Sequence, residues 1–272
     1  MSGERRVVRK GAVSIEIFVR GEGPTVLMHP GFGRSARDYN DMSTRLAKAG
    51  FKPIAINPRG INASEGPLVG LTLHDYADDV WMVADELELQ KVNLLGHAFG
   101  NRVMRTASTD QPNRVASITL FAAGGEVAPP KEINELLLKL VIDSKLTPEE
   151  RHEDAAKALF APGHDPSEMA DGWHPVAAKA EAEAVRRTDE KAINAGGTAP
   201  MLIVQGLDNL MAPPQNAWNL VTSRPNAWLV AIPHCGHAMV PEQPRAIAHA
   251  IVSFLAAQSE HNSDFGRLSD RV

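Results

Sequence analysis

The pattern of hydrophobic and polar positions along the chain predicts short buried strands that alternate with amphipathic helices. Strands are predicted at Val13–Arg20, Thr25–His29, Ile54–Asn57, Val92–Leu95, Val115–Phe121, Met201–Gln205 and Trp228–Ile232. Helical periodicity is predicted within 39–49, over 72–87, from Asn101 onward, over 215–221 and over 245–258. Strands and helices that alternate at this spacing predict right-handed crossovers and a mostly parallel sheet.

Two local signals refine this prediction. Thr72 and Asp75 have the spacing of a capping box, so a helix is expected to begin at Thr72. The first two predicted strands, Val13–Arg20 and Thr25–His29, are separated by the turn-forming sequence G-E-G-P at residues 21–24. We therefore expect these two strands to form a hairpin that leads into the central sheet.

The alternation stops in the second half of the chain. From about Val127 to about Thr198 the pattern predicts helices without an intervening strand. These helices are expected at Lys131–Ser144, Thr147–Phe160 and Pro175–Asn194. The alternation of strands and helices then resumes, and the last residues, 259–272, are polar without periodicity. We expect residues 261–272 to form a flexible tail.

The chain is organised around the sequence G-H-A-F-G at residues 96–100. It joins the buried strand Val92–Leu95 to the helix that begins near Asn101. A turn this tight brings the two backbones together, so only residues without a Cβ fit at its flanks. The segment resembles the nucleophile elbow of the α/β-hydrolase superfamily. The family has Ser, Cys or Asp at the centre of the elbow, whereas this chain has Ala98, which has no nucleophilic atom.

The resemblance implies the α/β-hydrolase fold, with a mostly parallel central sheet flanked by helices. It also implies that residues 1–126 and 199–260 form the core. Residues 127–198 then form a helical cap over the active site, although additional surface helices are the alternative. Residues 57–64 resemble the family's D-x-R-G-x-G-x-S loop, with Asn57 and Asn62 as departures.

The loop after the last predicted strand resembles the family pattern G-H-x-x-x-x-E-x-P at residues 236–244. This resemblance makes His237 the catalytic imidazole. His234 has no counterpart in the pattern, and we expect Cys235 to be a small packed residue and not a nucleophile.

The acid of the expected triad is harder to assign. Residues 206–213 resemble the family pattern G-x-x-D-x-x-x-P, and the position of the acid holds Asn209. An asparagine can orient an imidazole, but it does not stabilise an imidazolium by charge and it can select the wrong tautomer. Asp208, one residue earlier, and Glu126, after the preceding core strand, are two candidate substitutes.

The resemblance also implies an oxyanion hole made of backbone N–H groups, supplied by Phe99 and Phe32. Arg34 follows Phe32 closely and is a candidate contact for a polar substrate, with a solvated arginine as the alternative. Trp173 either lines the pocket from the cap or only fixes the cap to the core.

Ala98 leaves several functions open. The first is an enzyme that hydrolyses a small, largely apolar ester, lactone or carbamate with His237 as general base. Subgroups of the superfamily have Ala at the elbow, including a carbamate hydrolase group of pyrimidine breakdown. The second is a Ser→Ala knock-out of a serine esterase. The third is a cofactor-independent dioxygenase, and the fourth is a non-catalytic protein that binds a small molecule.

Composition narrows the class of partner. Hydrophobic residues make up 43% of the chain, which is ordinary for a globular enzyme. The formal net charge is −5, so the composition gives no sign of the basic surface that binds nucleic acid. We find no apolar run of signal or membrane type, and the single cysteine excludes an internal disulfide. These features predict a cytoplasmic protein that acts on a small molecule without a cofactor. A metal site built on His29, His97, His234 and His237 matches no known ligand spacing, so none is predicted.

Overall fold

A computed structural model describes residues 3–189 and 196–269, and within them the chain forms an eight-stranded sheet. The strands are β1 (Glu4–Lys10), β2 (Val13–Val19), β3 (Thr25–His29), β4 (Lys52–Ile56), β5 (Val92–His97), β6 (Val115–Phe121), β7 (Met201–Gly206) and β8 (Ala227–Ile232). Their order in the sheet is β1-β2-β4-β3-β5-β6-β7-β8. The pairs β1–β2 and β2–β4 are antiparallel, and all the others are parallel. This is the predicted α/β-hydrolase fold.

Helices cover both faces of the sheet. They are α1 (Asn40–Lys48), α2 (Leu73–Glu86), α3 (Phe99–Asp110), α4 (Lys131–Ile142), α5 (Pro148–Leu159), α6 (Ser167–Ala170), α7 (Pro175–Arg187), α8 (Pro214–Thr222) and α9 (Pro244–Ser269). Helices α2, α3 and α8 pack on one face through residues such as Val80, Val103 and Ala217. Helices α1 and α9 pack on the other face through residues such as Leu46 and Ile251.

The predicted hairpin between the second and third strands is wrong. Strand β2 pairs instead with β1, across a tight turn in which Gly11 has a φ of 59°. Strand β3 lies between β4 and β5, where all of its residues are buried. A mainly apolar strand such as β3, with the sequence T-V-L-M-H, is stable in the interior of a parallel sheet, whereas β1, with the sequence E-R-R-V-V-R-K, forms the charged edge. Its charged residues are the reason that β1 was not predicted.

Most helices begin and end near their predicted limits. The capping box at the start of α2 is confirmed, because the Thr72 N–H donates to Asp75 over 2.8 Å. Helix α6 was not predicted, and α9 continues past Gln258 to Ser269. The end of the predicted helix Pro175–Asn194 and residues 270–272 of the predicted tail lie outside the described residues.

Helices α4 to α7 form an insertion between β6 and β7. The insertion has its own apolar core, which includes Ile133, Leu140, Leu159 and Met169 and also contacts Ala238. None of the helices in the described residues has the length and apolar character needed to cross a membrane.

The departure at Asn57 has a structural reason. Its side-chain oxygen accepts a hydrogen bond from the Ala36 N–H at 2.7 Å, and its side-chain nitrogen donates to the carboxylate of Glu16 at 2.6 Å. An aspartate in this position would place a second carboxylate against Glu16 and would be repelled. Asn57 therefore anchors the segment before α1 to the sheet.

Candidate active site

The elbow has the strained geometry that its sequence requires. Ala98 has φ 48° and ψ −107°, a conformation that residues other than glycine rarely adopt. A Cβ on Gly96 would lie 2.4 Å from the Gly100 carbonyl oxygen, and a Cβ on Gly100 would lie 2.1 Å from the His29 carbonyl oxygen. Both glycines are therefore required by close backbone approach, as the sequence predicted.

The elbow is also fixed to the end of β6. The Ala98 N–H donates to the Phe121 carbonyl oxygen at 3.1 Å. The Asn101 side chain donates to the carbonyl oxygens of Phe121 and Ala122, each at 3.2 Å. These bonds hold the strained residue in place, so the bend does not depend on the side chain at position 98.

The loop that carries His237 is organised by Glu242, for which the sequence analysis assigned no role. The carboxylate of Glu242 accepts hydrogen bonds from the backbone N–H groups of Gly236 at 2.6 Å, Met239 at 3.1 Å and Ala161 at 2.6 Å. Glu242 is the glutamate of the G-H-x-x-x-x-E-x-P pattern, so the signal was present in the sequence. It joins the histidine loop to the end of α5.

His237 lies beside the elbow. The Nε2 atom of His97, the residue before Ala98, is 2.8 Å from the His237 carbonyl oxygen, and the two imidazole rings are 5.0 Å apart. The His237 N–H donates to the Leu159 carbonyl oxygen at 2.7 Å, so the insertion contacts the same loop. Burial and the proximity of His97 lower the pKa of His237 well below 6.5. The imidazole is therefore neutral at physiological pH.

Asn209 contacts the imidazole of His237. Its Oδ1 lies 3.2 Å from His237 Nδ1 and also accepts the Ala212 N–H at 2.8 Å. Because the Ala212 N–H needs an acceptor, the Asn209 oxygen and not its nitrogen faces the imidazole. Nδ1 then carries the hydrogen and Nε2 keeps its lone pair. The expectation that asparagine selects the wrong tautomer is not supported by this geometry.

The structure does not bring the two substitute acids to His237. Asp208 and Glu126 are both exposed, and neither bonds to His237 among the described residues. The backbone of Asp208 instead donates to the Cys235 carbonyl oxygen at 2.9 Å. The assignment of either residue as the acid therefore has no support in the geometry.

The two candidate oxyanion donors lie at the start of a helix and in a turn. Phe99 is the first residue of α3, so its N–H has no acceptor within the helix. Phe32 lies in a turn closed by a bond from the Arg34 N–H to the Gly31 carbonyl oxygen at 3.1 Å. Neither the Phe32 nor the Phe99 N–H bonds to an acceptor in the part of the chain that the structure describes.

Arg34 is not solvated, so that alternative is wrong: only 3% of its surface is exposed. Its guanidinium forms an ion pair with Asp38 at 2.8 Å and donates to the carbonyl oxygens of Asp171 and Glu168. It also lies 4.6 Å from the centre of the Trp173 ring, whose N–H donates to the Met169 carbonyl oxygen. This geometry favours a role for both residues in fixing the insertion to the core over their predicted contact with substrate.

Comparison with known proteins identifies the family. The sequence model of the family described as alpha/beta hydrolase fold matches residues 24–162, slightly more than half of the chain. The chain belongs to the α/β-hydrolase family.

Among curated proteins, this α/β-hydrolase is 26% identical over 262 residues to a protein named "Putative carbamate hydrolase RutD" from Variovorax paradoxus. The match covers 90% of this chain and 96% of that protein. A 2-(acetamidomethylene)succinate hydrolase from Mesorhizobium japonicum is 25% identical over 270 residues, covering 93% of this chain and 95% of the other.

A solved structure with the same fold is a thermophilic esterase from Thermogutta terrifontis, which is 20% identical and has a TM-score of 0.77. The match covers 94% of this chain and 99% of that chain. At this level of identity the likeness shows only the fold.

His29, His234 and Cys235 lie near the site in the sequence, and none of them forms a hydrogen bond with His237 among the described residues. Burial lowers the pKa of His29 to about 4, and its ring packs 5.7 Å from that of Phe99. His234 is exposed, whereas Cys235 is buried and burial raises the pKa of its thiol. Within the described residues no group of histidines, cysteines and carboxylates is arranged to hold a metal ion.

One buried carboxyl group beside the site was missed by the sequence analysis. Glu181 on α7 is fully buried, and its Oε2 accepts the Gly33 N–H at 2.6 Å. Burial raises the pKa of Glu181 to about 8. Its sequence context, A-E-A-E-A over residues 180–184, gives Glu181 and Glu183 the same appearance. The available signal was position: Glu181 lies on the helix face of the buried residues Ala177 and Ala184.

Proposed function

We propose that this α/β-hydrolase hydrolyses a small, largely apolar ester, lactone or carbamate without a covalent enzyme intermediate. The observation that carries the proposal is the contact between His237 and Asn209, which leaves a neutral imidazole whose Nε2 keeps its lone pair, with the ring 5.0 Å from that of His97, the residue before Ala98. A neutral imidazole with a free lone pair is a general base. The two curated relatives described above are named hydrolases, which supports the reaction class.

In the proposed mechanism a water molecule takes the place of the missing serine hydroxyl. His237 Nε2 removes a proton from this water while the water oxygen attacks the carbonyl carbon. The carbonyl electron pair moves to oxygen, and the N–H groups of Phe32 and Phe99 donate to the oxyanion. When the tetrahedral intermediate collapses, the bond from carbon to the leaving group breaks. The leaving group then takes the proton from the His237 imidazolium.

The chain lacks a nucleophile at Ala98 and a charged acid at Asn209, and this limits how unreactive its substrate can be. A serine protease without its triad retains a rate enhancement of roughly 10³- to 10⁴-fold over water, supplied by the oxyanion hole and binding. Asn209 adds no negative charge to stabilise the imidazolium formed during the reaction. We therefore propose that the substrate has a labile carbonyl group and is not a plain amide.

The experiment compares the wild type with His237→Gln on a panel of activated esters, lactones and carbamates. We expect the substitution to lower kcat/KM at least about 100-fold, the usual contribution of a general base. His234→Gln is the matched control, because His234 is exposed in the same loop, and it should leave turnover unchanged. Undiminished turnover in His237→Gln would rule out the mechanism.

A non-catalytic binding protein is the second candidate, favoured by the loss of both the nucleophile and the charged acid at Ala98 and Asn209. It predicts that a ligand binds and is recovered unchanged. Product analysis on the same panel separates this candidate from the hydrolase. An oxygen electrode separates it from the cofactor-independent dioxygenase, the other enzymatic alternative.

A further inference from the structure

Helix α7 and the residue before it, His174, bond to both the N–H and the carbonyl oxygen of Gly33, in the turn of residues 31–34 that contains Phe32 and is called the oxyanion loop below. The Gly33 N–H donates to Glu181 Oε2 at 2.6 Å, and the Gly33 carbonyl oxygen accepts the His174 N–H at 3.0 Å. A Cβ on Gly33 would lie only 3.0 Å from the Cβ of Ala178. Gly33 directly follows Phe32, the proposed oxyanion donor, so the insertion contacts the loop next to the reacting group.

The conformation of this turn depends on one peptide plane. The turn is closed between Gly31 and Arg34, and its third residue, Gly33, has a φ of 62°, whereas Phe32 does not have a positive φ. This combination is typical of a type II turn. Types I and II differ by rotation of the central peptide, here the bond from Phe32 to Gly33. The N–H of that peptide is the one that Glu181 accepts.

A carboxyl group is a costly residue to bury in this position. Only a protonated carboxyl avoids the burial of a charge, and the raised pKa of Glu181 means that it is protonated at neutral pH. Its second oxygen, Oε1, is buried and has no hydrogen-bond partner among the described residues. The one hydrogen bond that Glu181 makes there is the bond to Gly33. The fold therefore retains a buried acid whose contact is with the oxyanion loop.

We propose that Glu181 is a positioning residue for the oxyanion hole. By accepting the Gly33 N–H, it holds the Gly31–Arg34 turn in place against α7 and so fixes the position of the neighbouring residue Phe32, whose own N–H is the proposed oxyanion donor. This proposal rests on the proposed function for its effect on rate, but its structural part is testable without any substrate.

The structural test is the behaviour of the Gly33 amide, followed by NMR. Glu181→Met removes the acceptor with little change in volume, and Glu181→Gln retains an acceptor. Glu183→Met is the matched control, because Glu183 lies on the same helix with 38% of its side chain exposed. We expect Gly33 hydrogen exchange to accelerate at least about 10-fold in Glu181→Met and to stay near the wild-type rate in the other two variants. Unchanged exchange in Glu181→Met would overturn the proposal.

A second measurement covers the case in which Glu181→Met does not fold. In the wild type, the chemical shift of the Gly33 amide should titrate near pH 8, together with Glu181, and Glu181→Gln should abolish this titration. A wild-type Gly33 amide whose chemical shift stays constant while Glu181 itself titrates would show that Glu181 does not hold the turn.

The kinetic test uses the best substrate from the panel above. We expect Glu181→Met to lower kcat about 10-fold or more with KM changed little, and Glu181→Gln to retain most of the activity. A loss in KM alone would contradict a role in the oxyanion hole. If the wild type has no turnover, the proposed function fails, and the amide measurements still decide whether Glu181 holds the turn.

Discussion

The Nδ1 atom of His237 lies 3.2 Å from the Oδ1 atom of Asn209, and the Ala212 N–H fixes the orientation of that amide. The pair is therefore oriented like a histidine–aspartate pair but carries no negative charge. The Asn209 Nδ2 atom is buried without a hydrogen-bond partner in the described residues. Because Asn209 is uncharged, it does not stabilise the imidazolium, and burial lowers the pKa of His237 without opposition from a neighbouring carboxylate.

The first prediction concerns Asn209→Asp. The new carboxylate would favour the charged imidazolium and raise the pKa of His237, while the Ala212 N–H would still have an acceptor. We expect kcat to rise at least about 10-fold, because a carboxylate stabilises by charge the imidazolium that forms in the reaction, whereas the neutral amide does not. Because the pKa of His237 lies well below 6.5, we expect the acid limb of the wild-type pH–rate profile below that pH, and it should move to higher pH in Asn209→Asp. Steady-state kinetics from pH 4 to 9 measure both effects.

The control for this substitution is Asp208→Asn, which changes the neighbouring exposed carboxylate. It should leave the pH profile in place. An acid limb that stays at the wild-type pH in Asn209→Asp would show that His237 is not the titrating base.

The second prediction concerns Ala98→Ser. The backbone at position 98 already has the conformation of an elbow, so a serine fits there without rearrangement. With the neutral Asn209 behind His237, we expect the hydroxyl to be poorly activated and kcat/KM to change by less than about 10-fold. Mass spectrometry after treatment with a serine-directed phosphonate should detect no adduct. A gain of several orders of magnitude with an adduct would instead identify Ala98 as the result of a Ser→Ala knock-out.

The third prediction concerns the close contact behind the elbow. Gly100→Ala places a Cβ 2.1 Å from the His29 carbonyl oxygen, so the helix and the strand must separate. We expect a loss of about 3 kcal/mol or more in the free energy of unfolding, measured with urea. Gly163→Ala is the control for the close contact, because Gly163 has open space around its Cβ, and only its φ of 91° disfavours a side chain there. It should cost only about 1 kcal/mol, and equal losses in the two variants would contradict the argument.

The fourth prediction follows from the buried acid on α7. The pKa of Glu181 is about 8 in the folded chain, against 4.5 for an unperturbed glutamate. The folded state therefore binds more protons between these values, and the free energy of unfolding falls as the pH rises from 4.5 to 8. Glu181→Gln does not titrate, so its stability relative to wild type should increase across this window, by at most about 5 kcal/mol. Urea unfolding at pH 5 and pH 8 measures this difference, and Glu183→Gln should show no such trend.

The core of the fold was predictable because its signals are local. Strand β6 was predicted with its observed limits, and the capping box of α2 was confirmed. The false hairpin shows where local signals fail. A turn sequence such as G-E-G-P predicts a reversal of the chain, but the position of β3 between β4 and β5 depends on which strands bury an apolar run.

Some residues of the candidate site were likewise predictable from local sequence patterns, and others were not. His237 and Asn209 lie in family patterns of fixed spacing, so the sequence was sufficient to select the pair that the structure brings together. Arg34 and Glu181 are ordinary charged residues in the sequence, and they become buried because the insertion packs on the turn of residues 31–34. Contacts across such distances, between residues 33 and 181 for example, leave no periodic trace in the sequence.

The bend at position 98 is maintained entirely by main-chain contacts and by Asn101, none of which involves the side chain at its centre. Position 98 is therefore a suitable place to introduce a new reactive side chain. A thiol, a carboxylate or a synthetic amino acid introduced there would extend from a turn that adjoins the loop of His237, and none of the contacts that maintain the bend would be removed.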